Sequence, residues 1–243
     1  MLPLLFIIYI YIYIYIFIII IIISYFTITM EGSTFSEDSI DLFHNPARII
    51  IGGFSNSGKS VLCQKLIELY HKKFKHVLYC GVDSHELQTH PEIGSKITVS
   101  VDILNPFEYS HLGPILFILD DCFLQAVEDK NVVDTFTKGR HKFISTIFIT
   151  QNIFFSGKHA RNIALNCSHY ILMKNRDMNQ IECLGRQIFG KGKTKEFVEI
   201  YKKAVSMNSF GYLLIDLSAN TPEPLQLRTN IIGETEYQVV FQW

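Results

Sequence analysis

Residues Gly53-Phe54-Ser55-Asn56-Ser57-Gly58-Lys59-Ser60 have the types and spacing needed to hold a polyphosphate. They fit G-x-x-x-x-G-K-[ST], a loop whose backbone N–H groups, together with those of the following helix start, surround phosphate oxygens. Gly53, Ser55, Asn56, Ser57 and Gly58 would form that cradle. Lys59 would bring a point charge to the β- and γ-phosphates of ATP, and the Ser60 hydroxyl could ligate Mg²⁺. About sixty residues downstream, Leu116-Phe117-Ile118-Leu119 leads into Asp120-Asp121. Four apolar residues and then a carboxylate form a Walker B pattern, with Asp120 holding Mg²⁺ through water and Asp121 orienting or deprotonating the attacking water. A strand ending in an acidic turn is the plainer reading of those residues, and a phosphate loop upstream argues against it. Gln151 follows Thr146-Ile147-Phe148-Ile149-Thr150, where a polar strand tip could sense the γ-phosphate. Lys138-Gly139-Arg140-His141-Lys142 is a compact basic turn between the two. Residue types alone favour a solvated turn there; in a ring-shaped assembly Arg140 could reach a neighbour's nucleotide.

The surrounding elements suit this chemistry. Arg48–Gly52 reads as a buried strand before the loop, and residues 59–72 as an amphipathic helix after it, with Leu62, Leu66 and Leu69 on one face. Strands are expected at 76–80, 97–100, 115–120, 145–150 and 169–173, with late strands at 210–217 and 225–231. Helices are expected at 123–138, 177–188 and 194–206, while 81–96 reads as irregular. Continuous apolar runs such as Ile115–Leu119 are those of parallel strands covered on both faces. Strands alternating with helices predict an α/β fold with a mostly parallel central sheet flanked by helices.

The chain has 243 residues and a formal net charge of −1, which argues against a nonspecific nucleic-acid coat but leaves room for a local patch. Five cysteines with no C-x-x-C pair suggest reduced thiols in a nuclear or cytoplasmic protein. Residues 1–29 stand apart. They carry no charge, alternate Ile and Tyr from Ile10 to Ile16, and run through six isoleucines at 18–23. Such a segment is long enough to span ~30 Å of hydrocarbon, and it lacks the basic start and cleavage site of a signal peptide. An in-frame A/T dinucleotide repeat also encodes Ile-Tyr-Ile-Tyr, and Met30 immediately precedes ordinary polar sequence. The expectation is a translated microsatellite with the true start at Met30; a membrane anchor or an aggregation-prone insert stays open. Residues 30–47 read as a linker, 48–233 as the catalytic domain and 234–243 as a tail. His85-Glu86-Leu87-Gln88-Thr89-His90 resembles H-E-x-x-H but has one residue too many to place both imidazoles on one helix face. Lysines 191, 193, 195, 202 and 203 suit a solvated helix face, with contact to DNA phosphates as the alternative.

Further blocks follow in order: Gly139-Arg140-His141, Ile149-Thr150-Gln151-Asn152, Ala160-Arg161-Asn162, Asn175-Arg176-Asp177, Gly185-Arg186-Gln187 and Gly211–Leu217. Together with the loop and Asp120-Asp121, this set resembles the genome-packaging ATPases of Maverick/Polinton transposons and related large DNA viruses, members of the FtsK/HerA superfamily. The resemblance covers about 48–233. It implies a RecA-like P-loop NTPase fold, ATP and Mg²⁺ as cofactors, and a homo-oligomeric ring that moves double-stranded DNA into a capsid. It implies a trans-acting arginine finger at Arg140 and a γ-phosphate sensor at Gln151. Arg161, Asn175, Arg176 and Arg186 match signature positions, at sheet edges or interfaces. The departures are Asp121, where such motors often carry Glu, the missing nuclease or integrase segment, and the lead. Two rival readings of the residues stay open. One is a small P-loop kinase, against which the lack of an arginine-rich lid at 121–145 weighs. The other is a degenerate, membrane-tethered ATP-binding protein.

Overall fold

A computed structural model describes residues 41–81, 85–154, 157–232 and 238–243, which fall within one unit, Asp38–Trp243. The hydrophobic lead and the start of the expected linker lie outside these residues. Among the described residues no helix is long and apolar enough to cross a membrane.

The chain opens with β1 (Arg48–Gly52), the phosphate loop and α1 (Lys59–Tyr70). Next come β2 (His76–Cys80), a short α2 (His85–Thr89), β3 (Ile97–Ser100) and β4 (Ile115–Leu119). After β4 stand α3 (Phe123–Ala126), α4 (Lys130–Thr137) and β5 (Ile144–Thr150). The second half holds α5 (Ala160–Asn166), β6 (His169–Met173), α6 (Met178–Phe189) and α7 (Thr194–Ser206). It closes with β7 (Tyr212–Asp216), β8 (Leu227–Thr229) and β9 (Val239–Val240).

Among the described residues these strands form one sheet in the order β3-β2-β4-β5-β1-β6-β7-β8-β9. The first six in that order run parallel, and β7, β8 and β9 pair antiparallel. Side-chain alternation splits β1 between two cores: Ile49 and Ile51 face Leu62, Leu66 and Ile67 of α1, whereas Ile50 joins Phe136, Leu184, Phe197 and Tyr201 of α4, α6 and α7. Burying each such side chain contributes roughly 1.5–3 kcal/mol against exposure. The sheet is therefore sandwiched, as the apolar runs of β4 and β5 required.

Several boundaries differ from the sequence expectation. The helix expected at 123–138 is two: the first ends at Ala126, and Asp129 caps the second, its carboxylate accepting from the N–H groups of Asn131 and Val132. Residues 41–47 pack on the domain, with Leu42, Phe43 and Ala47 buried against the α1 face. The expected tail contributes β9, which pairs with β8. The segment 81–96, expected to be irregular, carries the short α2, and α5 falls where no element is expected.

A charged network is buried among β6, β7 and β8. Arg228, 0% exposed, donates to Asp216 Oδ2 at 2.7 Å, while the His169 ring lies 3.2 Å from Asp216 Oδ1. Burial pushes the Asp216 carboxyl up, but the His169 hydrogen bond and charge, the Ser218 N–H and the Arg228 charge outweigh it and hold the group at about 2. A carboxyl whose folded-state value lies below its ordinary 3.8 adds stability that is present above that value and lost as pH falls toward 2. Asp216→Asn should cost about 3–5 kcal/mol in urea unfolding at pH 7, because Arg228 is left buried without its counter-charge. The variant should also lose the wild type's extra fall in stability between pH 4 and 2.

Candidate nucleotide-binding site

The phosphate loop leaves β1 at the end of the sheet where all six parallel strands point. Two left-handed residues shape it, Asn56 at φ 62° and Gly58 at φ 93°. A Cβ on Gly53 would meet Ser57 Oγ at 2.7 Å and Met173 Cβ at 2.9 Å, so only glycine fits there. Helix α1 starts with Gly58 at its N-cap and no side-chain cap. Its first N–H groups consequently have no intrahelical partner and face the loop. Together with the helix dipole they favour an anion. Ser55, Asn56 and Ser60 are exposed, whereas Ser57 is buried with an Oγ that has no hydrogen-bond partner. Lys59 is buried and donates to Phe54 O at 3.0 Å, folding its ammonium onto the loop. Burial lowers its pKa, opposed by the charges of Asp121 and then Asp120, so both carboxylates lie within electrostatic reach of the lysine.

Asp120 directly follows β4 and is 8% exposed. The Tyr79 hydroxyl from neighbouring β2 donates to its Oδ2 at 2.7 Å, and its Oδ1 is buried without a partner. A fixed carboxylate with one oxygen left without a partner and the exposed Ser60 hydroxyl on the first turn of α1 are oxygen donors of the kind Mg²⁺ takes. Tyr79 is a site residue that sequence reasoning missed, because its role arises only from the β2–β4 pairing. Asp121 follows at φ 53°, exposed, a left-handed conformation that aspartate tolerates better than most residues. Cys63 and Cys122 lie close by, and burial, aided by Asp120, raises both thiols, which disfavours their thiolates.

Strand β5 lies between β1 and β4, so the phosphate-loop and Walker B strands are not neighbours. This inserts Gln151 between them: Thr150 pairs with Gly52, and Gly53 N donates to Thr150 O at 3.3 Å. Gln151 itself is exposed. The segment after it is held by Gln180, whose Oε1 accepts from Ile153 N at 3.0 Å.

The Asn175-Arg176-Asp177 block also reaches the loop, because β6 pairs with β1. Phe54 N donates to Lys174 O at 3.0 Å, and the Arg176 guanidinium lies 5.0 Å above the Phe54 ring. The Tyr201 hydroxyl donates to Met173 O and accepts from Asn175 N, fixing this turn to α7. Within the chain these residues support the loop. Arg161 and Arg186 stand exposed on α5 and α6.

Arg140 is not part of this cluster. It lies exposed in the turn Gly139–Lys142, just before β5, whereas Gln151 lies just after it. The seven residues of β5 separate the two by roughly 23 Å. Arg140 therefore cannot reach the phosphate loop of its own chain. It sits near Arg48 at the opposite end of the strands, beside a cavity of about 710 Å³ that also includes His169 and Asp216.

No protein-family model matches the sequence, and no curated protein does. Solved structures do. The genome-packaging NTPase B204 of Sulfolobus turreted icosahedral virus 2, in complex with sulfate, aligns at TM-score 0.53 and 15% identity, over 73% of this chain and 95% of that one. The DNA-packaging ATPase B204 of Sulfolobus turreted icosahedral virus gives TM-score 0.53 and 14% identity, over 73% and 95%. The ATP-gammaS complex of the former gives 0.50 and 14%, over 72% and 95%. The described domain thus has the fold of a viral genome-packaging NTPase.

Proposed function

We propose that this chain is an ATP-dependent double-stranded DNA translocase, a RecA-like motor of the FtsK/HerA superfamily and the Maverick/Polinton packaging type. It would work as a head-to-tail ring beside capsid proteins. The observation that carries this reading is β5: Gln151 follows it, between the phosphate loop and Asp120, and the exposed Arg140 precedes it, at the opposite end of the strand, which suits a sensor and a finger for a neighbouring copy. The fold shared with a DNA-packaging ATPase supports it.

In this mechanism the backbone N–H groups of the loop and α1 bind the phosphates, and Lys59 offsets their charge. Ser60 and Asp120 would hold Mg²⁺, whose chemistry when bound is further neutralisation of phosphate charge. Tyr79 keeps the Asp120 carboxylate oriented. Asp121 accepts the proton of the attacking water, and Gln151 orients that water in line with the γ-phosphorus. As the water oxygen bonds to phosphorus, the bond to the β–γ bridging oxygen breaks and ADP leaves. Arg140 of a neighbouring copy stabilises the charge on the transferred group.

The test is ATP hydrolysis by wild type and Lys59→Ala, with and without duplex DNA. The wild type should hydrolyse ATP faster when DNA is added, and Lys59→Ala should lose both binding and turnover. Hydrolysis indifferent to DNA would refute the translocase reading, and a phosphorylated small-molecule acceptor would favour a kinase.

A further inference from the structure

The phosphate loop opens on its other side into a second cavity, of about 620 Å³, between α1 and the loops flanking β7 and β8. Its volume falls in the range of small-molecule sites, roughly 300–1,000 Å³. The wall includes Gly58 and Val61 of the loop–helix junction, Met207 and Phe210 before β7, and Asn230 after β8. Three of these are large apolar side chains left open to solvent: Phe210 is 59% exposed, Val61 55% and Met207 52%. A single exposed apolar residue needs no explanation, whereas three around one cavity beside a ligand loop form a patch.

The position of the cavity follows from topology. Strand β7 runs antiparallel to β6, with Tyr212 opposite Met173, so the loop before β7 lies at the same end of the sheet as the phosphate loop. The cavity is on the β6–β7 side of β1, and Asp120, Asp121 and Gln151 are on the β5–β4 side. A triphosphate whose γ end lies at the acidic tips must direct its nucleoside end the other way, towards this cavity. Phe210 is the residue that joins the two compartments: a Cβ on Gly58 would lie 2.7 Å from its Cδ1. Its loop is pre-organised, because Asn208 Oδ1 accepts from Phe210 N at 3.0 Å and Asn208 O accepts from Gly211 N at 3.2 Å.

We propose that this cavity is the nucleobase site, in which the flat base of the bound nucleotide stacks on Phe210 with Val61 and Met207 as its apolar surround. The inference rests on the phosphate-site reading above and adds the residue that holds the base. Aromatic–base stacking is sequence-tolerant and lost on truncation to alanine.

The experiment compares ATP with inorganic tripolyphosphate by calorimetric titration of the full chain, as wild type, Phe210→Ala and Phe210→Trp. Phe210→Ala should weaken ATP binding about 5- to 150-fold while leaving tripolyphosphate affinity unchanged. Retained tripolyphosphate binding also reports an intact loop, so misfolding is not mistaken for support. Phe210→Trp should keep ATP affinity, and its added fluorescence should respond to ATP but not to tripolyphosphate. The proposal is overturned if Phe210→Ala binds ATP as the wild type does, or loses both ligands equally. A wild type that binds neither ligand would instead remove the phosphate site, and this inference with it.

Discussion

Arg140→Ala lowers ATP turnover by about 10³-fold or more and leaves nucleotide affinity unchanged, as expected of an arginine finger supplied in trans. Affinity persists because Arg140 lies a full strand length from its own phosphate loop and makes no contribution to the ground-state cradle. The measurement is steady-state hydrolysis beside equilibrium ATP binding. Mixing gives a sharper result. In a head-to-tail assembly each site takes Asp121 from one copy and Arg140 from the next. Two inactive proteins, Arg140→Ala and Asp121→Asn, should therefore regain activity when combined, at about a quarter of the sites in an equal random mixture. Near-wild-type turnover by Arg140→Ala, or no recovery on mixing, rules out the trans role.

Asp121→Asn should cut kcat by about 10²- to 10⁴-fold, the range for losing a general base, with ATP still bound. Asparagine is the informative replacement. Asp121 sits at φ 53°, and asparagine accepts that left-handed conformation as readily as aspartate, so the backbone after β4 stays in place. Alanine would add backbone strain to the chemical loss and confuse the two. Single-turnover hydrolysis separates the chemical step from product release. A rate within a few-fold of wild type would move the proton-accepting role elsewhere, with Gln151 left to position water alone.

The two halves of the nucleotide site were legible because each is a local pattern. Ile49–Ile51 and Ile115–Leu119 are β-branched or bulky apolar runs ending in residues that no buried strand would choose: glycine in one case and paired carboxylates in the other. Gln151 was legible for the same reason. The strand order was not, because nothing in residues 144–150 states that β5 enters between β1 and β4. Tyr79 stayed hidden, and Arg176 was legible only as a signature position without its contact to Phe54, since each meets its partner across a strand pairing, at 41 residues' separation for Tyr79 and Asp120. The burial of Leu42 and Phe43 was masked by polar neighbours on both sides. The break at Asp129 was missed because its capping role depends on an extended backbone, ψ 124°, that residue type does not dictate.

Strand β5 has a mechanical consequence in the assembly proposed above. There its leading turn would carry the arginine offered to the next copy's reaction centre, and its trailing tip the glutamine facing the home nucleotide. Seven buried residues clamped on both edges by parallel partners transmit displacement along their length with little compliance. Loss of a γ-phosphate at one end would thus tug the finger at the other, so that firing passes around the circle in sequence rather than at random.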